Sequence, residues 1–183
     1  MSGWRGICLA IILLIASIGV ALGASALQHQ TLEIPWTALD PTTQQRLRDV
    51  TEHAILFREL HGIVVRSHRP VFEFLIEHPD FAATAGRVLG IIRDRIVKER
   101  EGRYWGDDNH GATGTFELVY AAPGQRVYLS EGTFVKRLFP TIYGRIVLVM
   151  AYEYQTDQAG ESLVVNHIRG YLRIDNPILG VLA

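Results

Sequence analysis

The chain has 183 residues, of which 48% are apolar, 20% charged and 9% aromatic, a composition that supports a packed core and excludes wholesale disorder. Its 18 Lys and Arg stand against 19 Asp and Glu, a formal charge of -1, so there is no basic surplus for a nucleic-acid backbone. A single cysteine, Cys8, excludes an internal disulfide framework and cysteine zinc clusters.

Arg5 is the only charge before Glu33, and Gly6 to Leu27 is an uncharged, mostly apolar run of 22 residues. A basic start, an apolar stretch and then Ala24-Ser25-Ala26 match a secretory signal over residues 1–26, with small residues where a signal peptidase reads. The same run is long enough to cross a hydrocarbon layer of about 30 Å at about 1.5 Å per residue, so an uncleaved membrane anchor fits equally. Both readings place the rest of the chain outside the cytoplasm, secreted, periplasmic or held at a membrane by this segment. There a domain without disulfides relies on its core. Cys8 lies early in the run and reads as a small apolar residue.

Residues 27–40 are polar and broken by Pro35, and read as a linker; residues 41–183 read as a single α+β domain. Asp40-Pro41 has the N-cap and N1 chemistry that opens a helix, which the pattern carries to about Val50. Ile63-Val64-Val65 suits a strand, while Ala54-Ile55-Leu56-Phe57 fits either a strand or a helix. From Pro70 the apolar positions Phe72, Leu75, Ile76, Phe81, Ala85, Val88 and Leu89 recur at helical steps, and Pro79 divides them into two helices meeting at a bend that Gly90 ends.

Beyond Gly90 the period becomes two. Phe116, Leu118 and Tyr120 alternate with Thr115, Glu117 and Val119, Pro123-Gly124 turns the chain, and Arg126 to Val135 returns as the second strand of a hairpin. In Arg145 to Gln155, the residues Ile146, Leu148, Met150, Tyr152 and Tyr154 share the face that should look inward. Asp157 to Gly160 is turn chemistry, and a last strand over Glu161 to Ile174 puts Val164, Asn166, Ile168 and Leu172 on one side and His167, Arg169 and Arg173 on the other. Weaker strands near Ile92 to Glu99 and Arg103 to Trp105 bring the count to about 6–7. The fold class is α+β: a curved antiparallel sheet with helices on one side.

The motifs exclude more chemistry than they suggest. Among seven histidines no pair stands four apart on an expected helix, so no metal site is expected. Asp107 and Asn109 begin a calcium-loop pattern, but Gly111 and Leu118 break it at positions five and twelve. Asp107, Asp108 and His110 therefore read first as a polar hairpin loop, and second as an acid/base group if they border a cavity. Ser130 lacks the flanking glycines of a nucleophile elbow, and no phosphate loop or dinucleotide fingerprint occurs. No cofactor and no catalytic residue is assigned.

The order of elements, especially Phe72-Glu73-Phe74-Leu75-Ile76-Glu77-His78-Pro79 running into Gly86-Arg87-Val88-Leu89-Gly90 before a strand meander, resembles the helix-grip superfamily, also called START-like or SRPBCC, over about residues 50–183. The resemblance implies a curved sheet gripping a long C-terminal helix, with a cavity for a lipid or other hydrophobic ligand between them. Asp175-Asn176-Pro177 has the chemistry to start that helix, which reads as cut short at Ala183. The expected ligand-binding residues are Phe72, Leu75, Phe116, Leu118, Leu148, Met150, Tyr152, Asn166 and Ile168. The function expected is an exported or membrane-anchored binding protein for a lipid or other apolar small molecule. Two alternatives stay open: a cyclase- or isomerase-like enzyme using the same pocket, with His110 or Asp107/Asp108 as acid/base and Tyr152 as donor, and an envelope scaffold with a protein partner on the Val147, Val149, Ala151 face.

Overall fold

The computed structural model describes residues 32–137 and 140–175; the signal or anchor over residues 1–26 and the C-terminal helix start beyond Asp175 lie outside them. Asp40 takes an extended conformation and its carboxylate accepts from the Thr43 amide at 3.0 Å, capping helix α1 (Pro41–Thr51) with proline at its first position. Strand β1 (Leu56–Arg66) then joins the two apolar clusters into one strand. Helices α2 (Arg69–Glu77) and α3 (Pro79–Val88) follow, and the bend between them falls at Pro79, where His78 leaves the helical region. Among the described residues no helix is long and apolar enough to cross a membrane.

The remaining chain is a meander: β2 (Arg95–Arg100), β3 (Arg103–Asp107), β4 (Ala112–Ala122), β5 (Gln125–Phe134), β6 (Ile142–Thr156) and β7 (Ser162–Ile174). Together with β1 they form one open antiparallel sheet of seven strands in the order β1-β7-β6-β5-β4-β3-β2. From β3 onward each strand pairs with its predecessor, but β1 is taken up by β7, the last strand. The fold is α+β.

Four glycines stand in register across the middle of this sheet: Gly106 opposite Gly114, Gly114 opposite Gly132 and Gly132 opposite Gly144. A Cβ on Gly114 would lie 2.4 Å from the Glu131 carbonyl oxygen, and one on Gly132 would lie 2.5 Å from that of Thr113. No side chain fits there, so β4 and β5 approach along a line that only glycine permits.

Helices cover both faces of the sheet, which corrects the expectation of helices on one side. On one face α2 and α3 pack on Tyr104, Phe116, Tyr128, Leu148, Met150, Tyr152, Val164 and Ile168, so the inward list for β6 is the one its alternation indicated. On the other, α1 sets Leu47 and Val50, both fully buried, against Val127, Val147, Val149 and Ala151. The physical reason is that β5 and β6 are apolar on both faces, and each fully buried aliphatic side chain contributes about 1.5–3 kcal/mol. Leu32, Ile34 and Leu39 join this second core, so the chain from residue 32 onward is packed where the sequence reads as linker. Arg145 and Arg173, reaching from β6 and β7, both pair with Asp49 of α1 and with Asp175. These guanidinium contacts hold the carboxyls of Asp49 and Asp175 below the usual carboxylate range.

Candidate functional site

Between α2, α3 and the sheet lies a cavity of about 270 Å³, whose walls include Phe72, Leu75 and Ile76 from α2, Ala82 from α3, and Ile96, Phe116, Tyr128 and Met150 from the sheet. Its floor is buried, and it reaches the surface beside Arg66, Ser67 and Val71 at the corner between β1 and α2. The cavity exists because α3 turns its small residues inward. Ala82, Ala83 and Gly86 are buried while Phe81 points outward, and Phe81 stacks edge-on with Phe74 at 5.3 Å. Phe81, one of the apolar positions at helical spacing that would be expected inside, faces away: helix α3 is rotated so that Gly86 meets Ile92, where a Cβ would stand 2.9 Å from the Ile92 side chain.

Of the nine expected ligand-binding residues, Phe72, Leu75, Phe116 and Met150 line the cavity. Leu148, Tyr152 and Ile168 are instead buried in the surrounding core, and Leu118 packs against it half-buried. Asn166 is also fully buried; its amide donates to the carbonyls of Ile63 and Val164 at 3.3 and 3.4 Å, while its Oδ1 has no hydrogen-bond partner. The strand pattern placed these residues on the correct face, but only packing depth separates wall from core.

A polar hub adjoins the apolar chamber. Glu73, one turn into α2, accepts from the Tyr154 hydroxyl at 2.6 Å, the Tyr152 hydroxyl at 3.1 Å and Arg126 Nη2 at 3.2 Å. Tyr152 also packs against Phe72, with ring centroids 5.1 Å apart. Burial, opposed by Arg126 and reinforced by Glu73, pushes the Tyr152 phenol up to about 12, and burial with the Glu73 hydrogen bond also raises that of Tyr154. Both remain hydrogen-bond donors at neutral pH. The sequence reading missed Glu73 and Arg126, although two tyrosines two apart on an apolar face already required a buried acceptor.

The acidic loop lies elsewhere. Asp108 is fully buried; its Oδ1 accepts from the amides of His110 at 2.7 Å and Ala112 at 2.9 Å, and its Oδ2 has no hydrogen-bond partner. Asp107 binds the Asn109 amide at 2.7 Å, and the Asn109 side chain reaches the Arg93 carbonyl at 2.5 Å. Burial, then the nearby charge of Asp108, raise the Asp94 carboxyl to about 6. Asp107, Asp108 and His110 are not among the walls of the 270 Å³ cavity. The Val147, Val149, Ala151 face, expected to meet a protein partner, is covered by α1. Neither a protein-family model nor a curated protein matches this sequence.

Proposed function

We propose that this chain is an exported or membrane-anchored binding protein that takes a lipid or other apolar small molecule between α2, α3 and the sheet. The observation that carries the reading is the cavity of about 270 Å³ with apolar walls and a mouth at the β1–α2 corner. Such a chamber falls just below the range of drug-sized ligand sites, roughly 300–1,000 Å³, so it suits one acyl chain or a compact ring system. The helix-grip likeness supports it: a first strand, two helices and a six-strand meander whose last strand returns beside the first. The apolar run over residues 6–27 supports delivery to, or residence at, a membrane. Arg66 and Ser67 at the mouth suit the polar end of an amphiphile.

The test is native mass spectrometry and organic extraction of the full chain purified in mild detergent, beside an Ala82→Leu variant. Ala82 is a buried cavity wall, so the larger side chain occupies the chamber from a rigid helix. A co-purifying apolar species of fixed mass, lost in Ala82→Leu while the circular dichroism spectrum is kept, supports the reading. A folded protein that carries nothing and takes up no fatty acid or phospholipid refutes it.

A further inference from the structure

The sheet carries a pair of imidazoles on the face opposite the cavity. His61 of β1 and His167 of β7, 106 residues apart in sequence, present their Nδ1 atoms to each other at 3.3 Å, with ring centroids 5.5 Å apart. A local irregularity makes the meeting. The β1–β7 ladder pairs Leu60 with Ile168 and then Ile63 with Asn166, so His61 and Gly62 together oppose His167. Gly62 has a φ of 67°, which a side chain rarely adopts and which this two-against-one bulge uses to turn His61 toward β7.

A carboxylate stands behind one ring. Glu59 Oε2 stands 3.3 Å from His61 Nε2, on the ring edge away from His167, while Glu59 Oε1 is held by Arg169 Nε at 2.5 Å. In the tautomer that gives Glu59 the Nε2 proton, the lone pair of His61 lies on Nδ1, facing His167. A carboxylate behind a histidine is the arrangement that orients metal-binding imidazoles and raises their basicity. Two zinc–nitrogen bonds of about 2.0–2.1 Å meeting at the tetrahedral angle hold their nitrogens about 3.3–3.4 Å apart, which matches the observed separation.

We propose that His61 and His167 form an open two-imidazole site for a divalent transition-metal ion of the zinc class, with Glu59 as its positioning residue. Among the described residues no group of three or more histidine, cysteine or acidic ligands surrounds one ion, so the described part of the site supplies two nitrogen donors. Nitrogen donors favour zinc, nickel and copper over calcium and magnesium. The exposure of His61 on the edge strand leaves the ion open to exchange and to a further ligand.

The experiment is titration of the full chain with ZnCl2 by calorimetry and with CoCl2 by visible absorption, each beside a melting curve in EDTA. The expected result is one saturable site, a cobalt spectrum of nitrogen-bound ion and a melting temperature that rises with zinc. His61→Gln and His167→Gln should each weaken zinc at least tenfold, and Glu59→Gln roughly 10–100-fold, with EDTA melting curves close to that of the parent chain. CaCl2 and MgCl2 should have no effect. Absence of saturable binding up to millimolar zinc, or binding that survives both histidine substitutions, overturns the proposal and leaves a hydrogen bond between neutral imidazoles. Should His167→Gln fail to fold, His61→Gln on the exposed edge strand decides the matter alone.

Discussion

The Tyr154 hydroxyl donates to the Glu73 carboxylate at 2.6 Å, fastening the middle of α2 to the far end of β6. Arg126, whose side chain is only 8% exposed, meets the same carboxylate and has Glu77 at 3.8 Å as a second, more exposed partner. Glu73→Leu should therefore cost about 3 kcal/mol, the low end for breaking a buried pair, because Glu77 compensates in part. Arg126→Met in the same background should recover much of that loss. Urea unfolding of the two single variants and the double variant measures the coupling.

Asp94 gives stability an unusual pH dependence. Its carboxyl titrates near 6 in the folded chain and near 3.9 when unfolded, so between those values the folded state holds the extra proton. The contribution is complete below the unfolded value and is lost as pH rises through about 6. Asp94→Asn should stabilise the chain above pH 6 by about 1–3 kcal/mol and flatten the curve between pH 4 and 6. A melting series from pH 4 to pH 8 checks both.

Leu47 of α1 is fully buried against Val127, Val147 and Val149. Leu47→Ala should cost about 2–5 kcal/mol, and Asp40→Ala, which removes the cap on Thr43, should cost less. Chemical denaturation of the parent and both variants reads these values. A cost for Leu47→Ala within a few tenths of zero would mean that α1 does not cover the sheet in solution.

Gly114→Ala and Gly132→Ala each place a methyl group against a neighbouring carbonyl oxygen. Separation of β4 and β5 should cost about 1–3 kcal/mol for each, as overpacking does. Alanine at Gly160, where nothing lies within 4 Å of the added carbon but φ is 82°, should show the smaller strain of a turn alone. Comparing the melting temperatures separates crowding from backbone conformation.

Period and punctuation made most of the fold legible. Alternation from Phe116 to Ile174 marked the meander strands and put Leu148, Met150 and Tyr152 inward, while Pro79 and Gly90 marked the helix pair. What the pattern did not reveal is long-range. Val147, Val149 and Ala151 looked like an outward face because alternation says nothing about a helix approaching from the other side. Phe81 looked inward because helical periodicity alone does not decide which of two faces, Phe74/Phe81 or Ala82/Ala83/Gly86, approaches the sheet. Glu73 and Arg126 are 53 residues apart, and His61 and His167 are 106 apart, so neither pair has any local spacing to detect.

The pairing of β1 with β7 also dictates an order of events in folding. Consecutive strands of the meander are separated by seven residues or fewer, but Ile63 meets Asn166 across 103 residues of chain. Closing so long a loop adds little to the equilibrium cost, which grows only with the logarithm of length, yet it slows the search for the correct pair. During synthesis β1 leaves the ribosome first and finds its partner last. Until β7 arrives, Leu56, Phe57 and Leu60 have no strand beside them. Through that interval the apolar side chains of β1 lie open to association with other chains.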